Sequence, residues 1–178
     1  MKLRPALNSD ASSLAAISLE VWLGTYIRRG VNAFFADYAL AEFTTANFEA
    51  WLEEPAETFI VSENEDGIDG FIRVSSGKSP PVEADSRTEI STLYVQPRHH
   101  GKGVGKALLA AGLQRARDND ARSIWLTTNS ENTNAIDFYL AQGFEKIGHT
   151  HFRIEDQAYL NDVLLYAFPE KAKASAHS

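Results

Sequence analysis

Apolar positions along the chain fall into short runs whose period changes from helix-like to strand-like and back. Leu14, Ile17, Leu19, Val21 and Trp22 follow the candidate N-cap run Asn8-Ser9-Asp10, which predicts a first helix. Leu3-Arg4-Pro5-Ala6 ahead of it is too short to assign alone. A second helical stretch is predicted between Val31 and Leu52, interrupted at Thr44-Thr45. Thr58–Val61 and Ile68–Val74 carry β-branched and aromatic residues, and Asp66-Gly67 between them predicts a hairpin, so the first part of the sheet is antiparallel. Ser76–Ala84, with Gly77, Pro80 and Pro81, reads as a loop.

From Glu89 the order becomes strand (Glu89–Val95), glycine loop (Gly101–Gly105), helix (Lys106–Asn119), strand (Ser123–Thr128) and helix (Glu131–Gln142). Two strands joined through a helix are the signature of a parallel pair. Gly143 suits the C-terminal cap of the last helix, and Phe144–His151 and Ala158–Phe168 predict two closing strands. Pro169–Ser178 has no periodicity and is expected to fray. No repeat or linker interrupts the pattern, so the expected fold class is one mixed α/β (α+β) domain over residues 1–168.

Composition narrows the chemistry. The 178 residues include no Cys, which removes thiol nucleophiles, Cys-ligated zinc, iron–sulfur clusters and disulfide scaffolds. No stretch reaches the roughly 18 apolar residues of a membrane span and the N-terminus lacks a signal-peptide pattern, so the expectation is a cytoplasmic protein without a membrane partner. With 17 Lys+Arg against 24 Asp+Glu, the formal charge is -7, which gives no global footprint for nucleic acid. The one basic cluster, Arg98, His99, His100, Lys102 and Lys106, sits among glycines.

His100-Gly101-Lys102-Gly103-Val104-Gly105-Lys106 leads from a strand into a helix, where unpaired first-turn N–H groups and the helix dipole favour an anion. A phosphate-bearing ligand fits. It is not a P-loop: counting back from Gly105-Lys106 requires Gly at 100 and Ser or Thr at 107, where His100 and Ala107 stand. A dinucleotide fingerprint starting at Gly101 requires a third glycine where Lys106 stands.

Four separated motifs in order, Glu89–Pro97, Arg98–Leu109, Asn132-x-x-Ala135-x-x-Phe138-Tyr139 and Gly143-Phe144, make the stretch 89–148 resemble the GNAT superfamily of acyl-CoA-dependent N-acyltransferases. Over Leu3–Val74 the likeness is looser, resting on element order, Leu3-Arg4-Pro5-Ala6 and Asp10. Against the family's loop pattern [Q/R]-x-x-G-x-[G/A], His100 takes the first position and Gly103 and Gly105 match. The resemblance implies a GNAT-like fold with antiparallel N-terminal strands and a splayed central parallel pair. It also implies acetyl-CoA as cosubstrate, with no metal. The pyrophosphate would lie over the N–H groups of Gly101, Lys102, Gly103, Val104, Gly105 and Lys106, with Lys102 or Lys106 offsetting its charge. The pantetheine would run between the central strands, received by the backbone donors Leu93 and Val95 beside Tyr94 as a strand would be, with Asn132, Ala135, Phe138 and Tyr139 on the cofactor side, while His99 and His100 would line the phosphate loop.

Amine acetylation needs a neutral amine, an oxyanion donor and a proton for the leaving thiolate. An alkylammonium with a pKa of about 10.4 must lose its proton directly or through water, and Glu89 is the candidate base, at the family's recurrent carboxylate position. Strict alternation puts it on the face of Ser91, Leu93 and Val95. Its plainer meaning is a solvated strand-end carboxylate. The Val95 N–H is the candidate oxyanion donor. Tyr139 is the candidate acid for a thiolate of pKa near 8.5, or else a packed core tyrosine; it shares a helix face with Asn132 and Ala135. Phe138 and Leu140 also read as core, and Trp22 and Trp125 as packing residues. Tyr26 and Tyr159 are the candidate acceptor contacts. His149 and His151 lack companions for a zinc set, so no metal site is expected. The acceptor stays open among small amines, polyamines, amino acids and peptides, as does homodimerisation. A CoA-binding module without turnover and a nucleotide-binding regulator are the competing readings.

Overall fold

The structure, a computed structural model, describes residues 1–170; most of the tail expected to fray lies outside the described residues. Seven strands form one sheet: β1 (Lys2–Pro5), β2 (Glu57–Glu63), β3 (Ile68–Ser76), β4 (Thr88–Val95), β5 (Ser123–Asn129), β6 (Glu145–Ile154) and β7 (Gln157–Ala167), in the order β1-β2-β3-β4-β5-β7-β6. The helices are α1 (Ala11–Tyr26), α2 (Ala33–Glu42), α3 (Thr45–Glu53), α4 (Val104–Asp118) and α5 (Thr133–Ala141). All neighbouring pairs are antiparallel except β4 and β5, which run parallel as the strand-helix-strand pattern requires. No helix among the described residues is long and apolar enough to cross a membrane.

Local signals fix several boundaries. The interrupted second stretch is two helices, each started by a side-chain cap: Phe35 N donates to Asn32 Oδ1 (3.0 Å) and Asn47 N to Thr44 Oγ1 (3.1 Å). Asn8-Ser9-Asp10 forms a 3-10 turn rather than a side-chain cap on α1. The Asp10 carboxylate instead accepts from Leu7 N (2.7 Å) and from Arg4 (2.7 Å), tying β1 to α1. α4 begins at Val104, two residues before the expected Lys106, because Gly103 at φ +83° already turns the chain into the helix. Gly143 ends α5 as expected: Phe144 N donates to Tyr139 O (3.1 Å) and the two rings pack at 5.5 Å.

Two cores cover the two sheet faces. On one, Ile72, Val74, Ile90 and Val95 pack against Leu108 and Leu109 of α4 and Tyr139 of α5; on the other, Phe59, Val61 and Phe71 pack against Leu14 of α1 and Phe48 of α3. Phe71 is fully buried, with the rings of Tyr94, Phe48 and Phe59 at 5.9, 6.0 and 6.2 Å. Phe71→Ala is expected to cost about 3–5 kcal/mol of folding stability, measured by urea unfolding. Trp22 and Trp125 are buried as expected, whereas Leu140 is 45% exposed, on the outer side of α5.

A bulge at Ser91 changes the reading of β4. Arg73 pairs with Thr92 but Val74 pairs with Ile90, so Ser91 is the extra residue. Alternation is reset there: Ile90, Leu93 and Val95 face α4, and Glu89, opposite Ser75, faces the α1/α3 side with Tyr94. The expectation that Glu89 shares a face with Leu93 and Val95 is therefore overturned.

Candidate functional site

The parallel pair β4 and β5 registers at a single position, Glu89 opposite Trp125, and diverges toward the C-terminal ends. Gln96 N donates to Asp69 O (2.9 Å) across the β3 edge. N–H groups alternate along a strand, so those of Tyr94 and Gln96 point to β3 and those of Leu93 and Val95 point into the gap beside β5. The gap is thus edged by backbone donors that belong to no strand ladder, the arrangement that receives an extended amide-bearing chain.

At the wide end of the gap, the turn into α4 carries Gly101 at φ +74° and Gly103 at φ +83°, and a Cβ on either would meet nothing within 4 Å. The left-handed backbone favours glycine, and the open space lets a ligand approach the N–H groups at the helix start. These two glycines, preceded by Arg98, fill the pattern [Q/R]-x-x-G-x-[G/A] in full. The frame beginning at His100 is corrected accordingly, because Gly105 lies inside α4. Arg98 is held by Glu20 of α1 (3.5 Å), which also accepts from Gln96 Nε2 (3.0 Å). His100 Nε2 bonds Val95 O (3.0 Å), fixing the end of β4. Lys102 and Lys106 are exposed, and neither has an ion-pair partner among the described residues. Gly103→Val is expected to raise the acetyl-CoA KM on the order of tenfold or more through lost approach and backbone strain, and the same strain is expected to lower Tm by a few degrees. Steady-state kinetics and a melting curve check both parts.

Val95, Gly105 and Phe138 meet at this end: a Cβ on Gly105 would lie 3.7 Å from Val95 Cγ2 and 3.9 Å from Phe138 Cζ. Asn132 caps α5, its Oδ1 accepting from Ala135 N (3.2 Å), which leaves the amide nitrogen to donate elsewhere. Tyr139 is buried on the α4/α5 face. Burial pushes its phenol well above tyrosine's ordinary value. Tyr94 approaches from the opposite face. Burial raises its phenol as well.

Glu89 stands at the narrow end in a polar cluster that the sequence did not reveal. Arg73 Nε donates to Glu57 Oε2 (2.8 Å), Ser75 Oγ donates to the same oxygen (2.6 Å), and Ser75 and Ser91 hydroxyls bond each other. Burial pushes the Glu89 carboxyl up, opposed by Lys78 and by the hydrogen bond from Ser91. Burial also works to raise Glu57, but hydrogen bonds from Arg73 and Ser75 outweigh it and hold that carboxyl below its usual range.

Past the C-terminal end of β5, residues from distant parts of the chain meet. Tyr26 at the end of α1 and Tyr159 at the start of β7 face each other with ring centroids 5.7 Å apart. They line a cavity of about 350 Å³ that reaches Asn129 and Asn132. His149 pairs with Asp162 (3.4 Å), which also accepts from Lys146 and Ser130. No group of three metal-ligating side chains occurs among the described residues.

Known proteins resemble this chain in sequence and in fold. The family model described as "Acetyltransferase (GNAT) family" matches residues 26–144. An uncharacterised N-acetyltransferase of Mycobacterium bovis is 28% identical over 146 residues, covering 82% of this chain and 90% of that protein. Two solved structures share the fold. A ribosomal-protein-alanine N-acetyltransferase of Brucella melitensis has a TM-score of 0.74 at 22% identity, over 94% of this chain and all of the other. A putative acetyltransferase of Salmonella typhimurium, solved with acetyl-CoA, has a TM-score of 0.72 at 20% identity, over 99% of both chains. With the family model spanning more than half of its length, and the glycine turn and diverging strand pair inside that span, the chain belongs to the GNAT family of acetyltransferases.

Proposed function

We propose that the chain transfers the acetyl group of acetyl-CoA to a primary amine by direct attack through a tetrahedral intermediate. The observation that carries this reading is the continuity between the open left-handed glycine turn and the free N–H edge of β4, which together suit a pyrophosphate followed by an amide-bearing arm.

The roles follow from distance. Glu89 and Val95 are six residues apart, on the order of 20 Å along a strand at about 3.3 Å per residue, so they do not both touch one acetyl group. Val95 adjoins the glycine turn and serves the arm near its pyrophosphate end. Leu93, the deeper donor, takes the thioester oxygen and the oxyanion that forms from it. In this reading the oxyanion role expected of Val95 passes to Leu93.

Glu89 receives the amine's proton through water, since its side chain ends short of the acetyl position. Ser91 hydrogen-bonds its carboxylate, and Lys78 and Arg73 favour its charged form. Tyr139 gives its proton to the leaving thiolate. Burial keeps that proton on the phenol, and the same dry setting raises the thiolate's own affinity for it. The acceptor enters beside Tyr26 and Tyr159, on the opposite side from the glycine turn.

The test is acetyl-CoA-dependent thiol release against polyamines, amino acids, aminoglycosides and short peptides. Release with one class, accompanied by its N-acetyl product, is expected. A chain that binds acetyl-CoA but releases no thiol above the amine-free blank is a binding module instead.

A further inference from the structure

The acceptor cavity carries a charge pattern that the rest of the surface does not suggest. The formal charge of the chain is -7, yet the loop after α1 places two adjacent arginines, Arg28 and Arg29, both exposed, among the residues that line the cavity. Arg28 and Arg29, like several other arginines of the chain, have no ion-pair partner among the described residues, so neither is already neutralised by a carboxylate; what sets them apart is their adjacency at the cavity. Facing them is a closed triangle of rings: Tyr26–Tyr159 at 5.7 Å, Tyr26–Phe35 at 5.9 Å and Phe35–Tyr159 at 6.0 Å. Glu131 is the one carboxylate of the lining.

Resting on the N-acetyltransferase reading, we propose that the acceptor is a primary amine whose molecule also carries an anionic group and an apolar body of about one aromatic ring. A guanidinium pair recognises a carboxylate or similar oxyanion through charge-assisted, bidentate hydrogen bonds. The ring triangle offers flat apolar surface to the body of the molecule. The Glu131 carboxylate attracts the ammonium end on entry. A cavity of about 350 Å³ accommodates a molecule of amino-acid size. A polyamine, by contrast, would set its cations against Arg28 and Arg29, so the acidic surface elsewhere on the chain does not decide the acceptor.

The experiment compares phenylalanine, phenethylamine and spermidine as acceptors for wild type and for the double variant R28A/R29A. CoA release is measured for each pair, and binding of phenylalanine to the CoA-loaded protein is followed by calorimetry. The expected result is a kcat/KM for phenylalanine above that for phenethylamine on the order of tenfold or more, a ratio that collapses toward one in the double variant. Weaker phenylalanine binding by the variant, at an unchanged acetyl-CoA Kd, supports the same assignment even where turnover is slow. Preference for phenethylamine or spermidine, or an unchanged ratio in the variant, overturns the anionic acceptor while leaving the transferase intact. Acetyl-CoA binding with no release for any amine overturns the transferase reading, and calorimetry then decides the recognition alone: absence of phenylalanine binding overturns it.

Discussion

Tyr139→Phe is expected to lower kcat on the order of 10²-fold while leaving the acetyl-CoA Kd and the melting temperature nearly unchanged. The structure makes this split informative. The Tyr139 ring packs against Phe138 and Phe144, at 5.2 and 5.5 Å, and phenylalanine keeps those contacts. Burial alone acts on the phenol, with no hydrogen bond contributing, so removing the hydroxyl takes away no hydrogen bond that folding needs. A tyrosine present only for packing would therefore give a variant with full activity. A proton donor gives one that is folded, loaded and slow. Because the lost step is thiolate protonation, the defect should shrink with a thioester whose thiol is more acidic, and that comparison separates the proton role from a general disturbance of the site.

Glu89→Gln carries the second large effect, on the order of 10²-fold or more in kcat/KM, together with a changed pH profile. The base works only when ionised. Burial raises Glu89 from the usual carboxylate range, so in wild type the acid limb of kcat/KM should rise with pH across a window displaced upward from that of a solvated glutamate. In the variant this limb disappears, because glutamine does not titrate. The surrounding groups set the direction of secondary effects. Lys78 and Ser91 both pull the carboxyl down, so Lys78→Met should move the acid limb further toward neutral pH. A Glu89→Gln variant with wild-type kcat/KM at every pH would remove Glu89 from the mechanism and return it to a structural place in the Glu57–Arg73–Ser75–Ser91 cluster.

How much of this was legible in the sequence follows from which features are local. The order of strand, glycine turn, helix, strand and helix from β4 to α5 was legible, since each element carries its own period and punctuation and the α5 cap is written into Gly143-Phe144. The two sheet halves and the parallel pair between them followed from the same marks. The bulge at Ser91 was not legible: an extra residue in a strand leaves alternation looking intact, and only the cross-strand partners Thr92–Arg73 and Ile90–Val74 expose it. That one residue moves Glu89 to the other face.

The loop frame was legible but misaligned. Arg98, Gly101 and Gly103 stood in the sequence at the required spacing, and backbone dihedral angles pick out which glycines the turn depends on. Tyr26 and Tyr159 were each expected to border the acceptor site, but their contact with one another was not legible. Its physical basis is tertiary, an aromatic cluster of Trp22, Tyr38 and Phe152 that binds α1 and α2 to the β6–β7 hairpin across more than a hundred residues of chain. The free state of Arg28 and Arg29 was likewise invisible, because an unpaired charge is defined by what does not come near it in space.

The most direct test of direct transfer is an initial-rate study in which CoA release is measured against acetyl-CoA and the preferred amine together, with the intact mass of the chain recorded after exposure to acetyl-CoA alone. Direct attack in a ternary complex predicts intersecting reciprocal plots and an unmodified chain. Parallel plots with an acetyl group retained on the protein would contradict it.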